Sequence, residues 1–455
     1  MDKAPKAAVP AIFCLSLLFV FSAVMLSHFY FGFSFITSDA YERARSAEFL
    51  IASGYPVQST AIGADATSYP PIFDFNLAAF HLLTGLSYQQ SVAAFSFFFA
   101  TLFFSLAYLF ARKVLSEFGK KPDDAICSLA ALCVFLSPWI FYRTITPIAE
   151  TLGLSLFFAA VWFFLRSEKN KLLVFAILSI LSLAHFRSFS AAMICLGVLS
   201  VFLWRMKELL FESFAGILIF IYFVPRTALG FANPFVITPG IFEFFSLPLL
   251  AAAFAGLALI ASKRKIPIVL AGLFAAPIAL SFFAPFSFRQ LPFLVLPLAA
   301  ISALFFDELY SIAGSRKFRV AFFCAIALVA LCLNAFVTAK QLPFDSQNAA
   351  VTKAVSAYPQ DRVLAGFVQS YAIPYYSPSK KVLLGSFAEE LPDFESRVYV
   401  TQKFLFSSPD FTSAQIVQLY KIDLVVSNYS DSKDPLGLGG NRLLQSDSYS
   451  AYSVP

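Results

Sequence analysis

The stretch FITSDAYERARSAEFL (Phe35–Leu50) places charged residues directly after a long apolar segment. Five of its sixteen residues are charged, whereas only 13% of the 455-residue chain is charged. Asp39 and Glu42 have the Asp-x-x-Glu spacing of a capping box, in which the two side chains satisfy free amides at the start of a helix. The pattern therefore predicts a helix that begins just after the first apolar segment.

The other charges of this stretch are spaced for pairing along a solvated helix. Arg43 follows Asp39 by four residues. Arg45 lies three residues after Glu42 and three before Glu48. Side chains at these spacings are neighbours on a helix surface. On pattern alone, capping and pairing are the favoured explanation of these charges, so a functional role for Asp39 needs other observations.

The composition excludes an ordinary soluble globular domain. Hydrophobic residues make up 59% of the chain. Apolar runs of about 20 residues, long enough to cross a bilayer as helices, recur from Ala11 nearly to Thr338. Helices satisfy their own backbone hydrogen bonds in lipid, so we expect an α-helical polytopic membrane protein. The first run, Ala11–Phe33, is too long for the apolar region of a signal peptide and is predicted to be a retained span.

Positive charges predict the orientation of about eleven spans. Clusters of Lys and Arg lie in the short connections between apolar runs, and such clusters stay on the cytoplasmic side of a membrane. All of them fall on one side, with the N-terminus in the cytoplasm and the C-terminus outside, for spans at Ala11–Phe33, Val92–Ala111, Ala125–Phe141, Ala149–Leu165, Leu172–Ala184, Phe189–Trp204, Leu209–Val224, Ile241–Ala261, Ile266–Phe283, Leu291–Phe306 and Phe318–Thr338. The predicted location is the cell membrane.

A shift in composition divides the chain into two predicted domains. Residues 1–339 form a transmembrane domain, which includes a large first extracytoplasmic loop at 36–90 with interfacial helices. Residues 340–455 regain Asp, Ser, Gln and Lys and are predicted to form a small extracytoplasmic α/β domain. Its patterns predict a helix at Ser346–Ala357, strands at Arg362–Gly366, Val382–Gly385 and Arg397–Thr401, and a helix leading into a strand across Ala414–Ser427.

Polar and charged residues gather at the predicted outer surface, whereas the middles of the spans carry almost none. The outer set is Asp39, Glu42, Asp65, His81, Arg143, Glu150, His185, Arg187, Arg226 and Arg289. Charge at membrane depth is costly, so its concentration at one face favours a surface site over an ion path through the midplane. Helix capping, snorkelling helix ends and a pairing of Glu150 with Arg143 are the structural alternatives.

Five segments, taken in order, resemble the GT-C class of polytopic glycosyltransferases, especially archaeal and bacterial members akin to oligosaccharyltransferase catalytic subunits and protein mannosyltransferases. They are SDAYERARSAEFLIASGYP (38–56), SYPPIFDFNLAAFHLLTG (68–85), RTITPIAETLGLSLFFAAVWFFLR (143–166), LAHFRS (183–188) and FRQLPFLVLPLAA (288–300). The resemblance covers most of the membrane part and, loosely, the tail. It implies a GT-C-like fold and a transfer of sugar, with inversion, from a polyprenyl-phosphate donor to an acceptor at the extracytoplasmic face.

The resemblance also implies roles for the outer residues. Asp39 would be the base that takes the proton of the acceptor, or an acid that orients a metal, and Glu150 or Asp65 would be a second acid. Cationic side chains would neutralise the departing phosphate, which suits the fork of a guanidinium group. The candidates for this role are Arg143, Arg187, Arg226 and Arg289, with His185 as a further donor to phosphate.

The chain departs from the family at its acids and in its tail. Many members have two acids one residue apart, but here Ala40 and Tyr41 follow Asp39 and the next acid is Glu42. A Mg²⁺ or Mn²⁺ ion would have Asp39, Glu42 and Asp65 as candidate ligands, which are few oxygens for a hard cation, so a metal requirement is left open. The tail has no Trp, so it lacks a Trp-Trp-Asp type motif for reading an acceptor sequon. Single-sugar transfer is therefore favoured over transfer of a whole oligosaccharide.

Two other functions compete with the enzyme. A transporter or flippase for lipid-linked saccharides would be expected to show repeated halves, broken helices and a polar central path. A non-catalytic scaffold would use its tail to bind a partner. The predicted partners of the enzyme are the bilayer, the polyprenyl-phosphate sugar and a glycan, lipid or protein acceptor. Nucleic acid is not expected, because the basic residues lie in short connections between spans.

Overall fold

The structure is a computed structural model of the 455-residue chain. It describes residues 11–30, 38–64, 71–166, 170–227, 245–264, 266–283, 287–313, 321–322, 324–326, 328–329, 332, 352–385, 393–406, 415, 417–427, 441–445 and 450–454.

The described residues form mainly helices, with one sheet near the C-terminus. The first eight helices are α1 Ala11–Tyr30, α2 Ser38–Ser53, α3 Ile72–Thr84, α4 Tyr88–Glu117, α5 Asp124–Val134, α6 Pro138–Ile145, α7 Ala149–Arg166 and α8 Lys171–Ala184. The others are α9 Phe186–Leu203, α10 Met206–Thr227, α11 Leu247–Lys263, α12 Ile268–Phe283, a 3-10 helix at Ser287–Leu294, α13 Val295–Ala313, α14 Phe367–Tyr376 and α15 Phe394–Phe406. The strands are β1 Arg362–Leu364, β2 Lys381–Val382, β3 Leu424–Ser427, β4 Asn441–Gln445 and β5 Ser450–Ser453.

Several described helices have the length and composition of membrane spans. The five that are long and apolar enough to cross a bilayer are Ala11–Phe29, Tyr88–Glu117, Ala149–Arg166, Phe186–Leu203 and Leu291–Ile312. Shorter apolar helices lie at Ile72–Thr84, Lys171–Ala184, Leu247–Lys263 and Ile268–Leu280. These helices support a membrane protein. The count of about eleven spans and the orientation of the termini remain predictions.

The span predicted at Ala125–Phe141 consists of two helices, α5 and α6, which together are apolar enough for one broken span and are bent by 79°. Pro138 is the first residue of α6, where its missing N–H costs nothing but where it cannot continue α5. The Ser137 side chain accepts a hydrogen bond from the amide of Ile140 at 3.3 Å and so caps the new helix. The apolar pattern is continuous across this break, which explains why the sequence did not predict it.

The chain folds into two compact units that do not follow its order in sequence. Unit 1 comprises Met1–Phe33, Ala93–Tyr222 and Pro234–Ala339. Unit 2 comprises Ser34–Val92, Phe223–Asn233 and Lys340–Pro455. The first loop therefore packs with the tail. The assignment of residues 1–339 to the membrane domain and of residues 340–455 to the extracytoplasmic side remains a prediction.

Unit 1 is held together by closely packed helices. Helix α9 packs on α12, and α13 packs on both α5 and α11. Glycines permit this close approach: a Cβ atom added to Gly272 would lie 2.4 Å from the Leu199 side chain, and one added to Gly256 would lie 2.5 Å from the carbonyl oxygen of Ile301. Small residues at helix contacts are typical of packing in membranes, where van der Waals contact replaces the hydrophobic effect between helices.

Unit 2 contains a five-stranded mixed sheet with the strand order β2-β1-β3-β5-β4. β1 is parallel to both β2 and β3, whereas β5 is antiparallel to β3 and β4. Leu424 and Val426 of β3 belong to one buried apolar cluster and Val425 belongs to another. Both faces of the central strand are therefore covered, which agrees with the buried-strand pattern IDLVVSN in the sequence.

The strand predicted at Arg397–Thr401 is wrong, because these residues lie in helix α15. Val398 and Val400 are both buried, and this alternation mimics a strand. Arg397 and Thr401 are also buried, however, and the Thr401 hydroxyl donates to the Arg397 carbonyl one turn earlier at 2.9 Å. The predicted strands at Arg362–Gly366 and Val382–Gly385 are shorter in the structure, and β4 and β5 are strands that the sequence did not predict.

The first loop extends the sheet of unit 2 beyond β2. The Ile62 amide donates to the Val382 carbonyl at 3.0 Å, and the Val382 amide donates to the Thr60 carbonyl at 2.9 Å. Arg397, in helix α15 of the tail, donates a hydrogen bond to the Ile62 carbonyl at 2.7 Å. Gly385 leaves space for this pairing, since a Cβ atom there would lie 2.4 Å from the backbone of both Thr60 and Ala61. The loop thus covers an edge that would otherwise expose unpaired backbone groups.

We predict that Gly385→Ala destabilises unit 2 by about 1–3 kcal/mol, because the added methyl group overlaps backbone that cannot rotate away. Thermal unfolding and the rate of proteolysis of the tail measure the effect. The matched control is Gly197→Ala, since Gly197 lies in α9 with nothing within 4 Å of an added Cβ atom. Equal unfolding temperatures of the two variants would show that the loop is not pinned at Gly385.

Candidate active site

Arg143 and Glu150 face each other across the turn between α6 and α7 in unit 1. Arg143 lies in the last turn of α6 and Glu150 in the first turn of α7, where the helix dipole favours an acid. The guanidinium Nη2 lies 3.5 Å from the Glu150 carboxylate, and both side chains are mostly buried. The Thr151 hydroxyl donates to the Arg143 carbonyl at 3.2 Å and fixes the turn. The pairing that the sequence suggested is therefore confirmed.

The Arg143 guanidinium also lies over aromatic rings. Its central carbon is 5.5 Å from the centre of the Trp139 ring and 5.6 Å from the centre of the Tyr142 ring. Such cation–π contacts hold the planar group in place. Arg143 is therefore oriented by both an acid and two aromatic side chains.

His185 caps helix α9, and this contact fixes its tautomer. Its Nδ1 accepts a hydrogen bond from the Ser188 amide at 3.3 Å and lies 2.8 Å from the Ser188 hydroxyl. A nitrogen that accepts from an amide carries no proton, so the neutral ring carries its hydrogen on Nε2. Nε2 is therefore a hydrogen-bond donor, as a side chain that binds a phosphate oxygen must be.

Gly153 brings the helix of Glu150 against His185. A Cβ atom added to Gly153 would lie 2.5 Å from the Cβ atom of His185 and 2.9 Å from the Ser188 hydroxyl oxygen. Glu150 precedes Gly153 by three residues and so shares its face of α7. Glu150 thus lies one turn before the residue of α7 that packs on His185, and the half-buried Arg187 lies in the first turn of α9.

The other predicted site residues are placed by their backbone or lie outside the described residues. Asp39 is the second residue of α2, Arg226 lies in the last turn of α10, and Arg289 lies in the 3-10 helix Ser287–Leu294. Asp65 lies outside the described residues. The roles of Asp39, Arg226 and Arg289 therefore remain predictions.

Two charges of α2, Glu42 and Arg45, are buried rather than solvated, which corrects the prediction of a solvent-facing surface at these positions, whereas Glu48 is exposed. Glu42 is 5% exposed and Arg45 is 6% exposed. Arg45 donates to the Gln58 carbonyl at 3.0 Å. Burial lowers the pKa of Arg45, whereas the neighbouring carboxylates of Glu42 and Glu48 oppose this shift. These charges hold α2 against the chain that follows it.

Arg43 is paired with a residue that the sequence analysis did not single out. Its Nη1 lies 3.1 Å from a carboxylate oxygen of Asp74 on α3, and the Asp74 side chain is 4% exposed. Burial raises the pKa of Asp74 to about 6, although the charge of Arg43 and their hydrogen bond lower it. The one signal in the sequence was a single acid within the apolar segment IFDFNLAAF.

The binding of a divalent metal ion stays a prediction. Among the described residues, no group of three or more His, Cys, Asp and Glu side chains is arranged to hold an ion. Of the three proposed ligands, Glu42 alone has a described side chain, and it is buried beside the cationic Arg45. That charge balance makes Glu42 a weak candidate for coordinating Mg²⁺ or Mn²⁺.

The fold is GT-C-like, as comparison with solved structures shows. ArnT from Cupriavidus metallidurans bound to undecaprenyl phosphate is similar over 97% of both chains, with 14% identity and a TM-score of 0.56. The oligosaccharyltransferase AglB from Archaeoglobus fulgidus, in complex with an inhibitory peptide and a dolichol-phosphate, is similar over 92% of this chain and 69% of its own, with 12% identity and a TM-score of 0.58. The arabinofuranosyltransferase AftD from Mycobacteria matches 100% of this chain and 40% of its own, with 14% identity and a TM-score of 0.53.

No protein-family model matches the sequence, and no curated protein matches it. At sequence identities of 12–14%, the similarity to these solved structures shows the fold and does not assign roles to individual residues.

The buried Arg43–Asp74 pair predicts a specific pH dependence of stability. The pKa of Asp74 is raised from 3.8 to about 6, so the folded protein binds this proton more tightly than the unfolded chain does. The contribution of Asp74 to stability is therefore greatest below the lower value and falls as the pH rises through this window. We expect Asp74→Asn to lose this pH dependence in thermal unfolding measured from about pH 4 to about pH 7.5.

Arg43→Met is the complementary variant. It leaves the buried Asp74 carboxylate without its cation, so we expect a loss of about 3–5 kcal/mol at neutral pH. The loss should shrink on acidification, because protonation removes the buried charge. A deficit that is the same at all pH values would contradict this account of the pair.

Proposed function

We propose that the protein is a membrane glycosyltransferase that moves one sugar from a polyprenyl-phosphate donor to an acceptor at the extracytoplasmic face. The observation that supports the proposal is the Arg143–Glu150 ion pair on the helix that packs through Gly153 on a His185 whose Nε2 donates, within a GT-C-like fold. The neighbours bound to undecaprenyl phosphate and to a dolichol-phosphate support a donor of this class.

The cationic side of this group suits a phosphate that leaves with negative charge. The guanidinium of Arg143 offers several N–H groups in one plane, and the Nε2–H of His185 adds a further donor. The positions are fixed before the reaction by Glu150, the aromatic rings and the Ser188 cap. Fixed donors aimed at developing charge lower the barrier, because they need not reorganise during the reaction. Arg187, Arg226 and Arg289 are the further proposed phosphate ligands.

Asp39 is the proposed base. As its carboxylate takes the proton of an acceptor hydroxyl, the acceptor oxygen forms a bond to the anomeric carbon and the bond from that carbon to the phosphate oxygen breaks. The electron pair leaves with the polyprenyl phosphate, and the anomeric configuration is inverted. Glu150 is the proposed second acid, which in the structure holds Arg143.

A lipid-linked saccharide carrier is the second candidate, and one observation favours it. Broken helices are typical of carriers, and the α5–α6 segment is bent by 79°. The break is explained locally by Pro138 and the Ser137 cap. A carrier moves its substrate across the bilayer without cleaving the sugar–phosphate bond, so a transfer assay separates the two functions.

The test of Asp39 is transfer from a radiolabelled polyprenyl-phosphate hexose by the full-length protein in membranes. We predict that Asp39→Asn lowers transfer by at least about 100-fold, because the amide cannot take a proton. Asp361→Asn, at an exposed aspartate of the tail, serves as the matched control and should transfer normally. Unaltered transfer by Asp39→Asn would overturn the role of Asp39. Absence of transfer by the unaltered protein with every donor tested would overturn the proposal that it is a glycosyltransferase.

The contact of Gly153 with His185 gives a second test, in which no polar side chain is replaced. We predict that Gly153→Ala lowers transfer by about 10- to 100-fold, because the added methyl group must displace His185 or its helix. Gly197→Ala, an equivalent change in α9 without a neighbour within 4 Å, should have no effect. Full activity of folded Gly153→Ala would show that the position of His185 does not matter for transfer.

A further inference from the structure

Unit 2 contains an open cleft of about 440 Å³ that the proposed reaction does not use. Its volume lies within the range of about 300–1,000 Å³ that is typical of small-molecule sites. The polar and aromatic side chains that line it are Glu48, His81, Ser87, Tyr88, Gln89 and Tyr375. They come from four elements of unit 2: α2, the end of α3 with its following turn, the start of α4, and α14.

The walls of the cleft are held in place by backbone and ring contacts. Gly85 ends α3 in the left-handed conformation, and its amide donates to the His81 carbonyl at 2.9 Å. This turn folds the chain back, so that the Tyr88 ring stacks on the imidazole with ring centres 4.3 Å apart. On the other wall, Tyr375 packs edge-to-face on Tyr41 of α2 at 5.5 Å. The site is therefore formed before any ligand binds.

The hydrogen bonds of the cleft leave it rich in acceptors. His81 Nδ1 lies 2.6 Å from the Leu86 carbonyl oxygen. A carbonyl oxygen only accepts, so Nδ1 carries the hydrogen and the Nε2 of the neutral ring is an acceptor. Glu48 adds an exposed carboxylate on the same cleft. The Tyr375 hydroxyl shares a hydrogen bond with the Gln89 side chain.

The side chains of the cleft disfavour a phosphate ligand. None of the described residues that line it is Lys or Arg, and its one carboxylate would repel an anion. A ligand that presents several O–H donors satisfies the acceptors without bringing charge. The apolar side chains of Ile51 and Leu82 on the same cleft suit the C–H face of a sugar ring.

We propose that this cleft binds an uncharged pyranose of the acceptor, and hence that the acceptor is a glycan. Hydroxyl groups of the sugar would donate to the Glu48 carboxylate and to His81 Nε2, while its C–H face would lie against Ile51 and Leu82. The assignment of this sugar to the acceptor rests on the proposed function, whereas the binding of a sugar to the cleft does not.

The test is direct binding to the full-length protein in lipid nanodiscs, which avoids detergents with sugar headgroups. The probes are the methyl glycosides of glucose, galactose and mannose, with methyl glucuronoside as the anionic comparator and methyl glucosaminide as the cationic one, followed by saturation-transfer NMR. We expect at least one neutral glycoside to bind and the anionic one to bind more weakly. Glu48→Gln should weaken binding by about tenfold, because a charged acceptor is lost.

A pair of neighbouring tyrosines provides the matched control. Tyr375→Phe removes a hydroxyl group of the cleft and should weaken binding, whereas Tyr376→Phe, one residue further along α14 and not among the lining residues, should not. If Glu48→Gln fails to fold, as judged by its unfolding temperature, Gln89→Ala replaces it with the same expected direction. These variants change the cleft and leave the proposed phosphate ligands intact.

The outcomes separate the cleft from the reaction. Three results would overturn the proposal that the cleft binds an uncharged sugar. They are failure of all neutral glycosides to bind, tightest binding of the anionic or the cationic probe, and equal binding by folded Glu48→Gln and the unaltered protein. Sugar binding without any transfer activity would overturn the proposed function and leave the cleft as a saccharide site. Transfer that persists at the same acceptor KM in Glu48→Gln would overturn the assignment of the sugar to the acceptor.

Discussion

The pairing of residues 60–62 with Val382 is the constraint on which unit 2 depends. It joins two parts of the chain that are more than 300 residues apart, and Lys381 strengthens it with a hydrogen bond to the Ser59 carbonyl at 2.6 Å. Because the loop is anchored there, α2 lies against α14 and α3, and the buried charges Arg43 and Arg45 find their partners. Loss of the pairing would therefore expose the edge of the sheet at β2.

The sequence predicted the helices far better than it predicted what they touch. Apolar runs and the charged stretch after the first run located α1 and α2, because both signals are local. The break at Pro138 was missed, since the apolar pattern continues across it. The strand assigned to Arg397–Thr401 failed for a related reason: Val398 and Val400 alternate, but contacts with the loop and the sheet decide the element. Long-range packing overrode the local pattern in these places.

In the candidate site, too, local features could be predicted from the sequence and long-range contacts could not. The Arg143–Glu150 pair was predictable because the two residues flank one turn. The tautomer of His185 was not, since it depends on the amide of Ser188 and on space left by Gly153. The buried partner Asp74 was also hidden, because one acid in an apolar run gives no indication of its partner. In α2 the structure turns Glu42 and Arg45 into packing residues, which leaves Asp39 as the acid of that stretch proposed for chemistry.

The two proposed sites have opposite electrostatic character, and this difference is an argument for their different ligands. The group in unit 1 offers hydrogen-bond donors, from Arg143 and the Nε2 of His185, and so favours an anionic phosphate. The cleft in unit 2 offers acceptors, from Glu48 and the Nε2 of His81, and so favours hydroxyl groups. In both histidines the neighbour contacts Nδ1, but an amide N–H donates to His185 whereas a carbonyl oxygen accepts from His81, so the free tautomer hydrogen lies on opposite nitrogens. The hydrogen-bonding groups of the two proposed sites therefore favour different ligands, a phosphate in unit 1 and a neutral ligand rich in hydroxyl groups in unit 2.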